Sequence, residues 1–349
     1  MIKKILLIAA IILIVAALFI GSRFFMSATA FDQDTKFLYV RTGAATPAAV
    51  LKTLEEDSLV SRPGAFNWLA SRLDVWENLS PGKYEVKKGT SLWTLARTLR
   101  SNKQTPVNLV ITKIRTKEGL AALIGRRFES DSLSVIQYMN NTDTLAAYGL
   151  DTNTVMTAVF PNTYTYFWNS NPSQIFRKLF AEHRNVWNEE RKQKADSLGM
   201  TPTEVYILAS IVEEETNARD EKDTMASVYR NRIKKKMRLG ADPTVKFALR
   251  DFSLRRIYEK HLAVQSPYNT YRVFGLPPGP ICTPSLETLD EVLNAPETDY
   301  LYFVARPDRS GKHLFARSYP EHLKYARLYR TYLDSLQRAR QASKEDLGH

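Results

Sequence analysis

The stretch Thr201-Pro202-Thr203-Glu204-Val205-Tyr206-Ile207-Leu208-Ala209-Ser210-Ile211-Val212-Glu213-Glu214-Glu215-Thr216 reads as a helix with a well-defined start. Thr201 is its N-cap, Pro202 takes the first helical position, where a missing N–H is harmless, and Glu204 closes a Thr-x-x-Glu capping box. At about 100° per residue, Val205, Leu208, Ile211 and Val212 share one face, and Glu215 continues that stripe. Glu213 turns to the opposite side with Tyr206 and Ala209, while Glu214 lies at the edge near Ile207 and Ser210. A carboxyl on a buried face is costly to ionise, so it holds its proton near neutral pH, as a general acid must. The competing reading ends the helix at Val212 and leaves three solvated glutamates.

The chain has 349 residues, 44% of them hydrophobic and 25% charged. That composition excludes a disordered protein and leaves room for two domains with real cores. The apolar run Ile5–Ile20, preceded by Lys3-Lys4, is near the lower length limit of a membrane span, about 17 to 25 residues. Lysines on the short N-terminal side keep that end in the cytoplasm and send everything after Arg23 across the membrane. A cleaved signal peptide competes, with Ala28-Thr29-Ala30 as a small-residue cleavage site, but the apolar run is long for a signal sequence. An uncleaved anchor at 1–23 is the expectation.

Cys282 is the only cysteine, so neither an internal disulfide nor a cysteine-pair metal site can form. His183, His261, His313, His322 and His349 lack ligand spacing, and no Gly-rich phosphate loop occurs. Neither a metal nor a cofactor is expected. The formal charge of +12 would suit nucleic acid in a cytoplasmic protein, but export points instead to an anionic membrane surface or an acidic envelope polymer.

Lys36–Val40 reads as a strand, and Pro47–Leu54 and Pro63–Arg72 as helices. Gly82–Arg97 alternates, turns at Gly89 and caps a helix at Thr90 or Ser91. It resembles the first half of a LysM module, a fold that binds N-acetylglucosamine-containing glycans; an ordinary strand-turn-helix unit reads the same way. Val107–Ile114 is a further strand and Lys117–Arg127 a helix. Phe160–Trp168 reads as an aromatic loop suited to sugar rings or to covering a core. Ser173–Leu198 reads as one long helix and Asp220–Lys236 as another. Gly240-Ala241-Asp242-Pro243-Thr244 places a carboxylate in a constrained turn. Ser266–Ser285 is a rigid Pro/Gly-rich loop, and Tyr300–Val304 a strand with His313–Phe315 as its hairpin partner.

Ala209–Thr216, Ala226-Ser227-Val228-Tyr229 with Asn231-Arg232, Asp242-Pro243-Thr244, Tyr268-Asn269-Thr270-Tyr271 with Gly275-Leu276-Pro277-Pro278-Gly279, and Tyr300–Val304 together closely resemble the YceG-like (MltG) family of membrane-anchored endolytic murein transglycosylases. The resemblance runs from the anchor to about Arg327. It implies an α+β fold: a membrane helix, a LysM-like α/β subdomain at 31–114, a mixed helical/β catalytic domain at 115–335 and a polar tail at 336–349. The family pattern Glu-x-Glu-Thr puts the catalytic acid at Glu215, the residue singled out by the helix face; Glu214 occupies a position that is often basic in the family.

The implied reaction cuts the MurNAc-GlcNAc β-1,4 bond of peptidoglycan without water, leaving a 1,6-anhydro-MurNAc end. One carboxylate suffices because the sugar's own C6 hydroxyl is the nucleophile, whereas ordinary glycoside hydrolases need two. Thr216 is a candidate to orient Glu215, and Asn231, Asp242, Tyr268, Asn269 and Thr270 are candidates to line the substrate cleft. The implied partners are nascent glycan strands, the cytoplasmic membrane and penicillin-binding proteins. Two alternatives stay open: a muramidase with Asp242 or Glu213 as second carboxylate, and a non-catalytic glycan-binding scaffold.

Overall fold

The computed structural model describes residues 2–346; side chains at 2–3, 16–20, 23 and 339–346 fall outside the described set. His349 and the end of the expected tail lie outside it as well. The fold is a mixture of helices and small two-stranded sheets, an α+β architecture. It divides into two compact units: Met1–Leu109 with Ile124–Ser132 and Thr165–Ile175, and Val110–Leu123 with Leu133–Tyr164 and Phe176–His349.

In the first unit, Ile2–Phe25 is one helix of 24 residues, with apolar side chains exposed from Ile5 to Val15. Among the described residues no helix is long and apolar enough to cross a membrane; the side chains at 16–20 are not in that set. The segment after this helix is tied into the unit. Ala28 is fully buried, its N–H donates to the Thr90 carbonyl at 3.1 Å, and its own carbonyl accepts from Ser61 N at 2.8 Å. Strand β1 (Thr35–Val40) pairs antiparallel with β2 (Gly82–Lys87). Leu38, Val40, Tyr84 and Val86 point inward at every second position, the period of a strand with one face buried.

Thr46 caps the helix Pro47–Glu56, and Pro63–Arg72 packs beside it. Ser91 caps Leu92–Arg100, accepting from Thr94 N at 3.2 Å. The strand-turn-helix expected at 82–97 is present, but its partner strand β1 lies upstream in the chain. Two segments from beyond residue 115 also belong here, contrary to the boundary expected from sequence. The Trp168 ring meets Tyr39 edge-on at 4.9 Å, and the Glu129 carboxylate accepts from Thr42 N and Oγ1 at 2.7 and 2.6 Å. Such non-local packing leaves no sequence-local signal.

Strand β3 (Val107–Ile111) pairs with β4 (Asn162–Tyr166). The expected aromatic loop thus contains a strand: Tyr164 and Tyr166 are buried and the threonines beside them exposed, the alternation of a half-buried strand rich in β-formers.

The second unit is built around the helix Pro202–Glu215. The Thr201/Glu204 capping box forms as expected, with Glu204 N donating to Thr201 Oγ1 at 3.2 Å and Thr201 N to the Glu204 carboxylate at 2.7 Å. Val205–Val212 are buried without exception, so this is a core helix covered all round rather than one with a single apolar stripe. The helices Glu189–Ser197, Lys222–Lys234, Asp242–Leu249 and Leu286–Leu293 pack around it. Ser210, midway along, accepts from Ile281 N at 3.0 Å and so fastens the Pro/Gly-rich loop to the core helix. Gly279 in that loop cannot be replaced without a shift, because a Cβ there would lie 2.1 Å from the Asn153 carbonyl oxygen.

The helix expected over 173–198 is two, Pro172–Val186 and Glu189–Ser197. Asn188 interrupts it by capping the second, its Oδ1 accepting from Arg191 N at 2.9 Å. Strands β5 (Tyr302–Ala305) and β6 (His313–Ala316) form the expected antiparallel hairpin. The last helix, Tyr319–Asp346, takes up most of the expected tail.

Candidate active site

The three consecutive glutamates end the core helix and meet three different environments. Glu213 reaches Lys222 Nζ at 2.9 Å and accepts from Ser285 Oγ at 3.2 Å and from Thr288 Oγ1. Burial alone would raise its pKa, but the Thr288 hydroxyl and the Lys222 ammonium together hold it below the usual glutamate range. Lys222 is itself buried and donates to Thr288 Oγ1 at 2.6 Å, which makes the cluster a polar staple between three helices. Glu214 pairs with Arg115 at 3.0 Å and Lys113 at 3.4 Å.

Glu215 pairs with no cation among the described residues. It is partly buried, it is the last residue of the helix, and Thr216 beyond it is already extended (φ −140°, ψ 140°). Burial raises its pKa to about 7; a hydrogen bond from Tyr229 opposes the rise, Asp242 adds to it, and Arg232 and Lys246 oppose it. The negative pole of the helix dipole acts in the same direction as burial. Tyr229, fully buried on Lys222–Lys234, donates its hydroxyl to Glu215 Oε1 at 2.5 Å. The result is an acid held in place by a neutral donor and poised to exchange a proton near neutral pH.

Asp242 lies not in a turn but at the first residue of the helix Asp242–Leu249. The constraint read from sequence sits one step earlier: Gly240 has φ +58°, a left-handed conformation that favours glycine, and Thr270 pins the Ala241 backbone beside it. Thr270 Oγ1 accepts from Ala241 N at 3.0 Å and lies 2.8 Å from Thr244 Oγ1. Asp242 is exposed, and Tyr271 donates to its Oδ1 at 2.7 Å.

The remaining sequence candidates hold the frame. Thr216 Oγ1 accepts from Ala218 N at 3.0 Å and shapes the turn after the helix. Asn231 donates to the carbonyls of Thr298 at 2.6 Å and Tyr300 at 3.0 Å. Asn269 is fully buried and donates to the carbonyls of Leu262 and Val264, both at 2.9 Å. Thr270 is buried as well. Tyr268 packs its ring on Phe247 at 4.6 Å between centroids.

Sequence reasoning misses two partners. Helical spacing puts Tyr229 on the inner side of its helix, and Tyr271 stands within a motif, but neither signal pairs the tyrosine with its carboxylate. Among the described residues no group of three or more His, Cys, Asp or Glu side chains is placed to hold a metal ion.

A glutamate with a raised pKa at the end of a buried helix, with an aspartate–tyrosine pair acting on it electrostatically, makes a candidate acid/base site. Residues 38–328 match the YceG-like family, and the chain belongs to it. A protein of Bacillus subtilis named endolytic murein transglycosylase is 34% identical over 171 residues, covering 49% of this chain and 47% of that protein. One of the same name from Streptococcus pneumoniae is 28% identical over 171 residues, covering 47% and 30%. The chain thus spans half or less of the length of these curated relatives. A crystal structure of a YceG-like protein from Listeria monocytogenes matches with a TM-score of 0.56 at 25% identity, covering 84% of this chain and 99% of that one.

Proposed function

We propose that the chain is an endolytic lytic transglycosylase that cleaves MurNAc-GlcNAc β-1,4 bonds of peptidoglycan strands through Glu215 alone. The observation that carries this reading is the contrast among the three glutamates: among the described residues only Glu215 lacks a cationic partner, and its pKa is raised to about 7. Protonated Glu215 gives its proton to the glycosidic oxygen as the C1–O bond breaks. The resulting glutamate then takes the proton of the C6 hydroxyl as that oxygen closes on C1, so the acid is regenerated and no water enters. Asp242, exposed and oriented by Tyr271, supplies negative potential toward the oxocarbenium-like carbon. The names of the relatives support the substrate class.

A hydrolytic variant is the second reading, because Asp242 acts electrostatically on Glu215 and could serve as base for a water. Glu213 is unsuited to that role, being committed to Lys222 and Thr288. Mass spectrometry of the ends made from uncrosslinked glycan separates the two: anhydro-MurNAc ends support the transglycosylase, and reducing MurNAc ends overturn it.

The apolar helix at the N-terminus is the membrane anchor in this reading, with the body on the far side of the cytoplasmic membrane. Its exposed apolar side chains support that, as does the burial of Ala28, which a cut at Ala30 would strip from the unit. The family resemblance points to penicillin-binding proteins as partners, which co-purification tests.

A further inference from the structure

The first unit carries a cleft of about 590 Å³ that the chemistry at Glu215 does not use. Its walls come from the turn after β1, the end of the Leu92–Arg100 helix, and the two segments that join this unit from further along the chain. None of the lining residues belongs to the strand-turn-helix at 82–97. The lining is rich in amides: Asn102, Gln104, Asn169, Asn171 and Gln174.

Although the chain carries a formal charge of +12, no lysine or arginine is among the described lining residues. The one carboxylate there, Glu129, is already satisfied by Thr42. A cleft of this kind discriminates against polyanions and demands no cation. Phe167 at its edge is 53% exposed, and among the described residues its ring pairs with no other aromatic ring. One polar group remains unmet: the Asn169 side chain, half-buried, bonds to no described group. Gln104 is turned into the protein, its amide nitrogen donating to Asn102 Oδ1 at 3.0 Å and its oxygen packed against Gly82. The oxygens of Asn102, Asn171 and Gln174 accept hydrogen bonds within the protein, which leaves Asn169 to offer both a donor and an acceptor to a sugar's hydroxyl and acetamido groups, and an exposed ring matches the apolar face of a pyranose.

We infer that this cleft is a binding site for neutral N-acetylated glycan, separate from the reaction centre, with Phe167 as stacking platform and Asn169 as polar contact. The choice of glycan rests on the peptidoglycan reading above.

The test is calorimetric titration of the full-length Glu215→Gln chain in detergent with tetra-N-acetylchitotetraose, alone and with Phe167→Ala, Phe167→Trp or Asn169→Ala added. Phe167→Ala is expected to weaken binding about five- to tenfold, with an unchanged circular dichroism spectrum, and Phe167→Trp to preserve it. Absence of binding by the parent, or equal binding by Phe167→Ala, overturns the site. Parallel cleavage assays on the chain with Glu215 intact keep the two readings apart. Cleavage without Phe167-dependent binding removes this site alone; Phe167-dependent binding without cleavage supports this site and removes the catalytic reading.

Discussion

Glu213 and Glu215 stand two residues apart on one helix, and both are partly buried, yet they are driven in opposite directions. Glu213 is surrounded by a buried ammonium and two hydroxyls that stabilise its charge. Glu215 has a tyrosine donor and a neighbouring aspartate; burial, reinforced by the aspartate, outweighs what the tyrosine and the more distant cations contribute. Burial therefore makes an acid only where no close cation and hydroxyl donors offset it. The first glutamate stabilises the fold through its ionised form, and the second gives up stability to keep a proton available.

The largest effect should come from Glu215→Gln, which removes proton exchange altogether. Glycan cleavage is expected to fall by at least about a thousandfold, read as new chain ends per minute, with the fold intact. The same variant tests the energetic half of the contrast. A carboxyl whose folded pKa is raised stabilises the fold below its unfolded pKa and loses that contribution as pH rises through about 7. Glu215→Gln should therefore melt above the parent at pH 8, by at most about 3 kcal/mol, with the gap closing toward pH 4.

Breaking the other side of the comparison should affect folding rather than chemistry. Lys222→Met takes from Glu213 its nearer cation and leaves Lys113 at 3.9 Å, and a loss of about 2 kcal/mol is expected in denaturant titration. For Glu213 the pH sign is reversed: its folded pKa is lowered, so its contribution is present above the unfolded value and is lost as pH falls through the folded one.

Tyr229→Phe sharpens the contrast by a smaller step. Its hydroxyl lowers the pKa of Glu215, so removing it should move the alkaline limb of the pH–rate profile upward and reduce the rate about tenfold. A smaller effect still concerns the first unit. A chain beginning at Phe31 lacks Ala28 and its two backbone hydrogen bonds, and it should be less stable than one beginning at Met26 by about 1–2 kcal/mol, read as the difference in Tm.

The capping box and the helix it starts are legible in the sequence because Thr201, Pro202 and Glu204 act locally. The position of Glu215 is legible too, but the stripe is a weaker signal than it looks, since the helix is buried on every side and Glu213 is enclosed as well. What separates the glutamates comes from Lys222, Thr288 and Tyr229, which sequence periodicity on one helix cannot bring together. Asn231, Asn269 and Thr270 are drawn in by their motifs; the hydrogen bonds they make go to backbone and buried hydroxyls, so those motifs record loop architecture at these positions. The break at Asn188 escapes notice because good helix formers continue across it, and only the cap marks the new start.

The contrast is tested most directly by a ¹³C titration of the glutamate side-chain carboxyls in the intact protein, with Glu213→Gln and Glu215→Gln used to assign the two signals. Glu215 should titrate at about 7 and Glu213 below the ordinary glutamate range. Titration of both together in the ordinary range would contradict the account.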